Sequence, residues 1–357
     1  MGSTEGVFMM LRACLADLEN RVDPDVEEQL LAEWLDFTEG RFAGVVFSPK
    51  RGAATPPQIE WPKVSVNAAL DDYDKMALQQ LRVCSDNLAA GDGAIMSVRC
   101  NYGSSILPSL FGVELFIMDE ALDTLPTSYP LRDTAKIEAV VARGAPDLTA
   151  GLGGKVLEMG HRFTTLLAEY PKVGRYVHLY HPDLQGPMDV VEVLWGSEFL
   201  TQLYENPGLV KSLLELVTET YIAFMRAWGQ IAPFSNERCV HWSMMHKGHV
   251  MLRDDSAMNL SPALFDEFIR PYNQRILDAF GGGGDHFCGK GDHFIANLSE
   301  LEGLHAVAMS QPEYNDMETI FRHTVDKGIK LLALERAAAD AAIAAGRDLH
   351  GHVHCSQ

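Results

Sequence analysis

HVMLRDDSAMNLSPALFDEFIRPYNQRILDAFGGGGDHFC, residues 249–288, has the pattern of a strand, a helix and a second strand. Short apolar runs at 249–254 and 282–288 flank a longer segment, 262–280, whose apolar residues have helical spacing. Ser261 is a good N-cap residue, and the proline after it suits the first turn of a helix. Strands that alternate with helices in this way predict a parallel sheet.

The same alternation extends over most of the chain after residue 93. Eight strand candidates fit a closed (β/α)8 TIM barrel, and an open doubly wound α/β sheet is the alternative. The eight candidates are residues 94–101, 113–118, 176–181, 249–254, 282–288, 306–310, 330–334 and 349–354.

The first part of the chain has a different character. Residues 24–41 carry apolar side chains at helical spacing, with acidic residues at the start, as the helix dipole prefers. We predict that residues 1–93 form a helical extension packed on a barrel of residues 94–357. The helix at 24–41 is expected to cover the face beside the last strand.

Composition excludes several classes of protein. The 357 residues include 47% hydrophobic types, enough for a sizeable core, and the net charge is 29 − 49 = −20. An acidic surface repels phosphate backbones and anionic lipid, so we expect no nucleic-acid or membrane partner. There is no long apolar run and no pattern of a secretory signal, and the six cysteines have no framework spacing. A cytoplasmic protein is therefore expected.

His286 and Cys288 are the first candidate metal ligands. Residues i and i+2 of a strand point to the same side, and an imidazole with a thiolate suits zinc. Cys355 lies 67 residues later, which is room for about three βα units, so it could close on the ion from across the barrel mouth. Glu313 is a candidate fourth ligand. If the strand stays regular, however, Cys355 faces away from His354, and the His-x-Cys pattern also occurs by chance.

Other polar residues follow the predicted strands. Asp254 and Asp255 could form a general acid/base pair, or could simply cap the next turn. His181 is a second candidate catalytic residue, and Asn101, Tyr102 and Asp255 are candidate substrate contacts. Four glycines, residues 281–284, lack the lysine of a phosphate-binding loop, so we expect them to allow a bulky group to approach the backbone.

Several of these motifs together resemble the uroporphyrinogen decarboxylase superfamily. They are residues 260–262 (LSP) with 271–272 (PY), residues 285–289 (DHFCG), and residues 184–187 (LQGP) with 195–196 (WG). The resemblance runs from about residue 98 to the C-terminus. It implies a (β/α)8 barrel, in agreement with the strand count.

The resemblance is specific to one branch of that superfamily. The arginine-rich N-terminal motif of the porphyrinogen decarboxylases is absent from residues 1–60. The sequence is similar instead to the corrinoid-dependent methyltransferases, including methylcobalamin:coenzyme M methyltransferase and the O-demethylase methyltransferases, whose signature is His-x-Cys and a later Cys. This implies zinc on His286, Cys288 and Cys355. It also implies a small-molecule methyl donor or acceptor, and a cobalamin (corrinoid) carried by a separate protein.

Two other functions stay open. One is a metal-free decarboxylase or lyase of a carboxylated substrate, for which Arg99, Arg175 and Arg253 are the obvious cations at strand ends. The other is a non-catalytic binding protein that has kept the barrel. A homodimer is also an open alternative.

Overall fold

The computed structural model describes residues 4–234 and 238–356 of the chain. Its strands are β1 (Val46–Phe47), β2 (Ser97–Val98), β3 (Leu115–Phe116), β4 (Thr127–Ser128), β5 (His178–Leu179), β6 (Arg238–His241), β7 (Met244–Lys247), β8 (Val250–Arg253), β9 (Gly283–Phe287), β10 (Leu304–Met309), β11 (Lys330–Leu332) and β12 (Val353–His354).

Helices lie between most of these strands. They are α1 (Thr4–Arg21), α2 (Pro24–Thr38), α3 (Val66–Leu70), α4 (Tyr73–Ala90), α5 (Ile106–Leu110), α6 (Thr134–Arg143), α7 (Gly153–Ala168), α8 (Pro171–Tyr176), α9 (Pro187–Trp195), α10 (Phe199–Glu205), α11 (Pro207–Ile231), α12 (Pro262–Phe268), α13 (Arg270–Ala279), α14 (Ile295–Leu298), α15 (Met317–His323) and α16 (Arg336–Ala344). Among the described helices, none is long and apolar enough to cross a membrane.

Six strands form one parallel sheet, in the order β1-β12-β11-β10-β9-β8. A second, two-stranded group pairs β2 with β5, also in parallel. Seven of the eight predicted strand segments overlap a strand of one of these two groups. The prediction of an α/β fold with a parallel sheet is therefore confirmed.

One predicted strand is wrong as a member of the parallel sheet. Within residues 113–118, β3 pairs antiparallel with β4, as a two-stranded ribbon. Phe116 and Ile117 are adjacent and both exposed. A strand of a parallel sheet is buried on both faces, so this apolar run belongs to the surface ribbon instead.

One strand of the sheet was missed. Val46 and Phe47 pair in parallel with Val353 and His354. Two residues are too few to show a periodicity, so no pattern in the sequence predicts this strand. The predicted division of the chain at residue 93 stays a prediction, but residues before it contribute a strand to the sheet.

Helix α2 packs against the last strand, as expected for the segment 24–41. The ring of Trp34 lies 4.7 Å from that of His354 and 5.0 Å from that of Phe47. The indole N–H of Trp34 also donates to the carbonyl of Gly93, at 2.9 Å. Helix α2 therefore packs against both β1 and β12.

A hairpin, β6–β7, lies against one face of the parallel sheet. Met244 and Met245 of the hairpin are buried in an apolar cluster with sheet residues that include Met251, Ala306, Ala308 and Leu332. Its tip is Trp242-Ser243, with φ of 46° and 62°. Both values are left-handed, which suits a two-residue hairpin turn but is unusual for tryptophan.

The glycine run makes room for the protein's own strands. A Cβ added to Gly283 would meet the carbonyl oxygen of Val250 at 2.0 Å, and one added to Gly284 would meet the side chain of Met251 at 2.7 Å. The close approach expected from the sequence is thus present. The group that approaches is β8.

Candidate metal centre

Strand register places the candidate site at the carboxyl ends of three neighbouring strands. Arg253 of β8 is the Cα partner of His286 of β9, and His286 is in turn the partner of Ala308 of β10. The chain continues from these positions to Asp255, Cys288 and Ser310, two residues further on in each case. Polar groups from three strands therefore meet at one edge of the sheet.

Three donor atoms come together there. His286 Nε2 lies 3.3 Å from Cys288 Sγ and 3.8 Å from Asp255 Oδ1. Asp255 Oδ1 also accepts the backbone N–H of Cys288, at 2.7 Å. The candidate ligand atoms of all three residues lie within 4.8 Å of one another. The pairing of His286 with Cys288 follows from strand alternation, as the sequence predicted.

Hydrogen bonds to helix α9 fix the backbone of the loop that carries Asp255. Asp189 of α9 accepts the backbone N–H groups of Asp255 and Ser256, at 3.0 and 2.8 Å. Because the backbone is fixed on both sides of the Asp255 side chain, its carboxylate is directed at Cys288. This is the sort of support that a ligand carboxylate needs.

The electrostatics of the cluster suit a cation. Burial lowers the pKa of His286, which keeps the imidazole neutral, the form that binds metals. Burial and then the charge of Asp255 raise the pKa of the Cys288 thiol. A positive ion between the thiol and the carboxylate would reverse that effect. The nitrogen, sulfur and oxygen donors therefore fit zinc.

Cys355 and Glu313 are not brought to this cluster. Among the described residues, two groups of candidate donor atoms lie within 4.8 Å of one another, this cluster and His181 with Cys239 and His241, and neither contains Cys355 or Glu313. Cys355 is buried beside β1, where its backbone N–H donates to the carbonyl of Phe47 at 3.0 Å. Glu313 is exposed in a 3-10 turn, Pro312–Tyr314. Their roles as ligands stay predictions.

Trp242 lies between the two candidate ligand positions. Its ring lies 5.0 Å from that of His286. It lines a cavity of about 290 Å³ next to His286, and also a smaller one of about 110 Å³ that Cys355 lines. The hairpin tip thus forms a wall shared by both cavities. The sequence could not reveal this, because Trp-Ser has none of the Asn-Gly character that marks a tight hairpin.

The histidines near the C-terminus do not share one strand face. Strand β12 covers only Val353–His354, and His350 has a left-handed φ of 51° outside it. His352 Nδ1 is 3.0 Å from the carbonyl of Val325, whereas His354 Nδ1 accepts the N–H of Ala333. Residues 350, 352 and 354 therefore do not alternate along one strand, because β12 begins only at Val353.

Asp254 lies on the other side of the sheet from the cluster. It is fully buried, and its Oδ2 accepts from the amide of Asn273 at 2.5 Å. Burial raises its pKa to about 6. Burial, together with Asp254, also raises the pKa of Asp285 well above the ordinary value. Asp254 and Asp255 therefore face different surroundings, although the charge of Asp255 also contributes to the raised pKa of Asp254. Their role as a general acid/base pair stays a prediction.

The other predicted residues lie apart from the cluster. His181 is buried with both ring nitrogens engaged: Nδ1 is 2.9 Å from the carbonyl of Pro182, and Nε2 accepts the N–H of Met251 at 3.0 Å. Burial lowers its pKa to about 4. The amide of Asn101 donates to Gln79, and Tyr102 is enclosed in the main apolar core. The structure gives none of the three a contact with His286 or Cys288.

A network of ion pairs lies next to the Trp242 ring. Asp183 accepts from both Arg99 and Arg253, and His241 Nε2 is 3.5 Å from the same carboxylate. Burial disfavours the charge of Asp183, but Arg253, His241 and Arg99 outweigh it and hold the pKa well below its usual range. The guanidinium of Arg253 stacks on the Trp242 ring, 4.5 Å from its centre.

In comparisons with known proteins, the chain matches solved structures but no family profile or curated sequence. A similar solved structure is the methyltransferase from Methanosarcina mazei, with a TM-score of 0.63, 16% sequence identity and 92% of each chain covered. At this identity the likeness shows a shared fold.

Proposed function

We propose that the chain is a methyltransferase that binds zinc through His286, Cys288 and Asp255. The methyl group would move between a corrinoid on a partner protein and a small molecule. The observation that carries the proposal is the cluster of nitrogen, sulfur and oxygen donors within 4.8 Å, at the carboxyl ends of β8 and β9. Support comes from the fold, which is similar to that of an archaeal methyltransferase.

We also infer that the parallel strands close into a (β/α)8 barrel. Two backbone hydrogen bonds connect the six-stranded sheet with the separate pair β2–β5. The N–H of Gly186, downstream of β5, donates to the carbonyl of Arg253 in β8, at 2.8 Å. The N–H of Arg51, downstream of β1, donates to the carbonyl of Asp92 ahead of β2, at 3.3 Å. These contacts support a ring in the order expected for a barrel.

The residues of the cluster have separate tasks. Zinc, once bound, would lower the pKa of an incoming thiol or polarise the oxygen of a methyl ether. His286 supplies a neutral nitrogen and Cys288 a sulfur, and Asp255 also holds the backbone of Cys288. Cys355 stays a candidate ligand, but its side chain packs in the main core, so it can join only if the backbone after His354 turns towards the cavity.

The cavity beside the cluster suits a small substrate. Its volume is about 290 Å³, near the lower end of the range for ligand pockets. Trp242, Met244, Met309 and Pro312 give it apolar walls that exclude water from the reacting atoms. A corrin ring is far larger, so the corrinoid must approach from outside, as it does when a partner protein carries it.

Metal analysis tests the assignment directly. The purified protein should contain zinc, and Cys288→Ser should lose most of it, whereas the matched variant Cys84→Ser, whose hydroxyl can still donate to the carbonyl of Ser97, should keep it. Zinc at full stoichiometry in Cys288→Ser would rule out the ligand assignment. The activity is tested with free methylcobalamin and 2-mercaptoethanol, where transfer appears as loss of the methylcobalamin absorbance only with zinc-loaded protein.

A metal-free decarboxylase or lyase is the second candidate. The observation in its favour is Arg253, which is the Cα partner of His286 on the adjacent strand and shares Asp183 with Arg99, and which could hold a carboxylate. The two candidates differ in their need for metal. Activity that survives complete removal of zinc would favour the decarboxylase.

A further inference from the structure

Arg253 has a hydrogen-bonding group that the protein does not use. Its Nη2 donates to Asp183 and lies 3.1 Å from His241 Nε2. Its Nη1 is buried and has no hydrogen-bond partner among the described residues, although the residue is only 4% exposed. Buried polar groups are nearly always paired, and an unpaired guanidinium nitrogen is costly. The missing acceptor needs an explanation.

The position of Arg253 connects it to the metal cluster. Arg253 and His286 are Cα partners on adjacent strands, so their side chains leave the same face of the sheet side by side. Trp242 contacts both, with its ring 4.5 Å from the guanidinium carbon and 5.0 Å from the imidazole ring. A molecule held at His286 is therefore within reach of Arg253.

The charges around Arg253 favour an anion. Arg99 and Arg253 share the single carboxylate of Asp183, which leaves one positive charge in excess. His241 adds no compensating negative charge, and burial lowers its pKa well below the ordinary value, so it stays neutral. A guanidinium in a site of low dielectric binds a carboxylate strongly, since each oxygen accepts a charge-assisted hydrogen bond.

We infer that Arg253 determines substrate specificity by binding a carboxylate of the small-molecule methyl donor or acceptor through Nη1. This rests on the proposed function, because the reacting sulfur or oxygen of the same molecule is then placed at His286 and Cys288. The strands are adjacent, so the two ends of the substrate are separated by a short chain.

Trp242 controls the contact between substrate and guanidinium. It lines the cavity next to His286, whereas Arg253 does not, and it stacks on the guanidinium. A turn of the indole side chain exposes Nη1 to the cavity. Its backbone is left-handed, with φ of 46°, a conformation that bulky residues adopt only where the surroundings enforce it. Binding of the carboxylate should therefore change the fluorescence of Trp242.

The test uses three short thiols that differ only in the group at the end opposite the sulfur. They are 3-mercaptopropionate, the neutral 3-mercaptopropionamide and the cationic 3-aminopropane-1-thiol. Binding to zinc-loaded wild-type protein is measured by calorimetry and by tryptophan fluorescence, with Trp242→Phe as the fluorescence control. We expect the carboxylate to bind at least about 10-fold more tightly than the amide, and the amine more weakly still. Equal affinities of the wild type for all three thiols would overturn the inference.

Variants then assign the effect to Arg253. Arg253→Met should lose the preference for the carboxylate, and Arg253→Lys should keep part of it. The surface variant Arg275→Met, which loses only an exposed ion pair with Glu215, should behave as the wild type. If Arg253→Met does not fold, Arg253→Gln replaces it, because glutamine removes the positive charge and keeps an amide that can donate to Asp183. Discrimination that persists in a folded Arg253→Met protein also overturns the inference.

The outcome is separable from that for the proposed function. Zinc binding and methyl transfer without any preference for the carboxylate contradict only the role of Arg253. The absence of zinc binding and of methyl transfer contradicts the proposed function, and it removes the support that the inference takes from it.

Discussion

Trp242 packs edge-on against His286, with ring centres 5.0 Å apart and ring planes at 81°. The contact places the tip of the β6–β7 hairpin beside the imidazole that we assign to the metal. The same indole lines a smaller cavity with His354 and Cys355. The ring of His354 packs on Trp34 and Phe47, whereas the side chain of Cys355 packs in the main core with Val353, on the other face of β12. Cys355 therefore faces away from the cavity beside His286.

Replacing Trp242 by alanine should join the two cavities without adding a ligand. The side chain of Cys355 packs in the main core, where Arg336 and Asp340 of α16 act on its thiol, so we expect no second thiolate to bind the metal. Cobalt in place of zinc reports this, because the thiolate-to-metal charge-transfer band grows with each sulfur ligand. The band should have the same intensity in the wild type, in Trp242→Ala and in Cys355→Ser. A band that grows in Trp242→Ala and returns to the wild-type intensity in Trp242→Ala/Cys355→Ser would show that Cys355 is a ligand.

Asp255→Asn separates charge from hydrogen bonding at the cluster. The asparagine oxygen can still accept the N–H of Cys288, so the backbone should stay in place, but the negative charge on the metal is lost. Zinc affinity should fall by roughly 10- to 100-fold, the usual effect of weakening one group of a metal site. Competition with a chromophoric chelator measures it.

Glu313→Gln is the matched control for Asp255→Asn. Glu313 is exposed and lies outside the cluster of donor atoms, so its variant should bind zinc as the wild type does. If the zinc affinity falls in Glu313→Gln and not in Asp255→Asn, Glu313 rather than Asp255 is the carboxylate ligand.

The sequence predicts the parts of the site that depend on local geometry. His286 and Cys288 are two residues apart in one strand, and strand alternation alone places them side by side. Strand alternation also predicts that Cys355 faces away from His354 if the strand stays regular, and its side chain does pack in the main core. For Asp255 the sequence predicts a substrate contact rather than a metal ligand, because only the turn held by Asp189 directs it at Cys288. In the same way, β1 was missed because two residues carry no pattern.

The stability of the metal-free protein should depend on His246. This histidine is buried, and burial lowers its pKa to about 4, whereas an unfolded chain titrates near 6.5. Between these values the unfolded state binds more protons, so the free energy of unfolding rises with pH and is lost as the pH falls from 6.5 towards 4. The loss is on the order of 3 kcal/mol for a shift of this size.

Urea unfolding at several pH values tests this dependence. In His246→Gln, the slope of the free energy of unfolding between pH 6.5 and 4 should be smaller than in the wild type. Identical slopes in the two proteins would mean that His246 is protonated in the folded state.

Two adjacent glycines of β9 should differ in what an added methyl group costs. In Gly283→Ala the new Cβ would lie 2.0 Å from the carbonyl oxygen of Val250, so β8 and β9 must separate. In Gly284→Ala the nearest atoms belong to the side chain of Met251, which can turn away. We expect a loss of about 3 kcal/mol or more for Gly283→Ala and about 1–2 kcal/mol for Gly284→Ala, from urea unfolding. Because β9 carries His286, a separation of the strands should also weaken zinc binding in Gly283→Ala, and equal costs at the two positions would contradict the packing of β8 on β9.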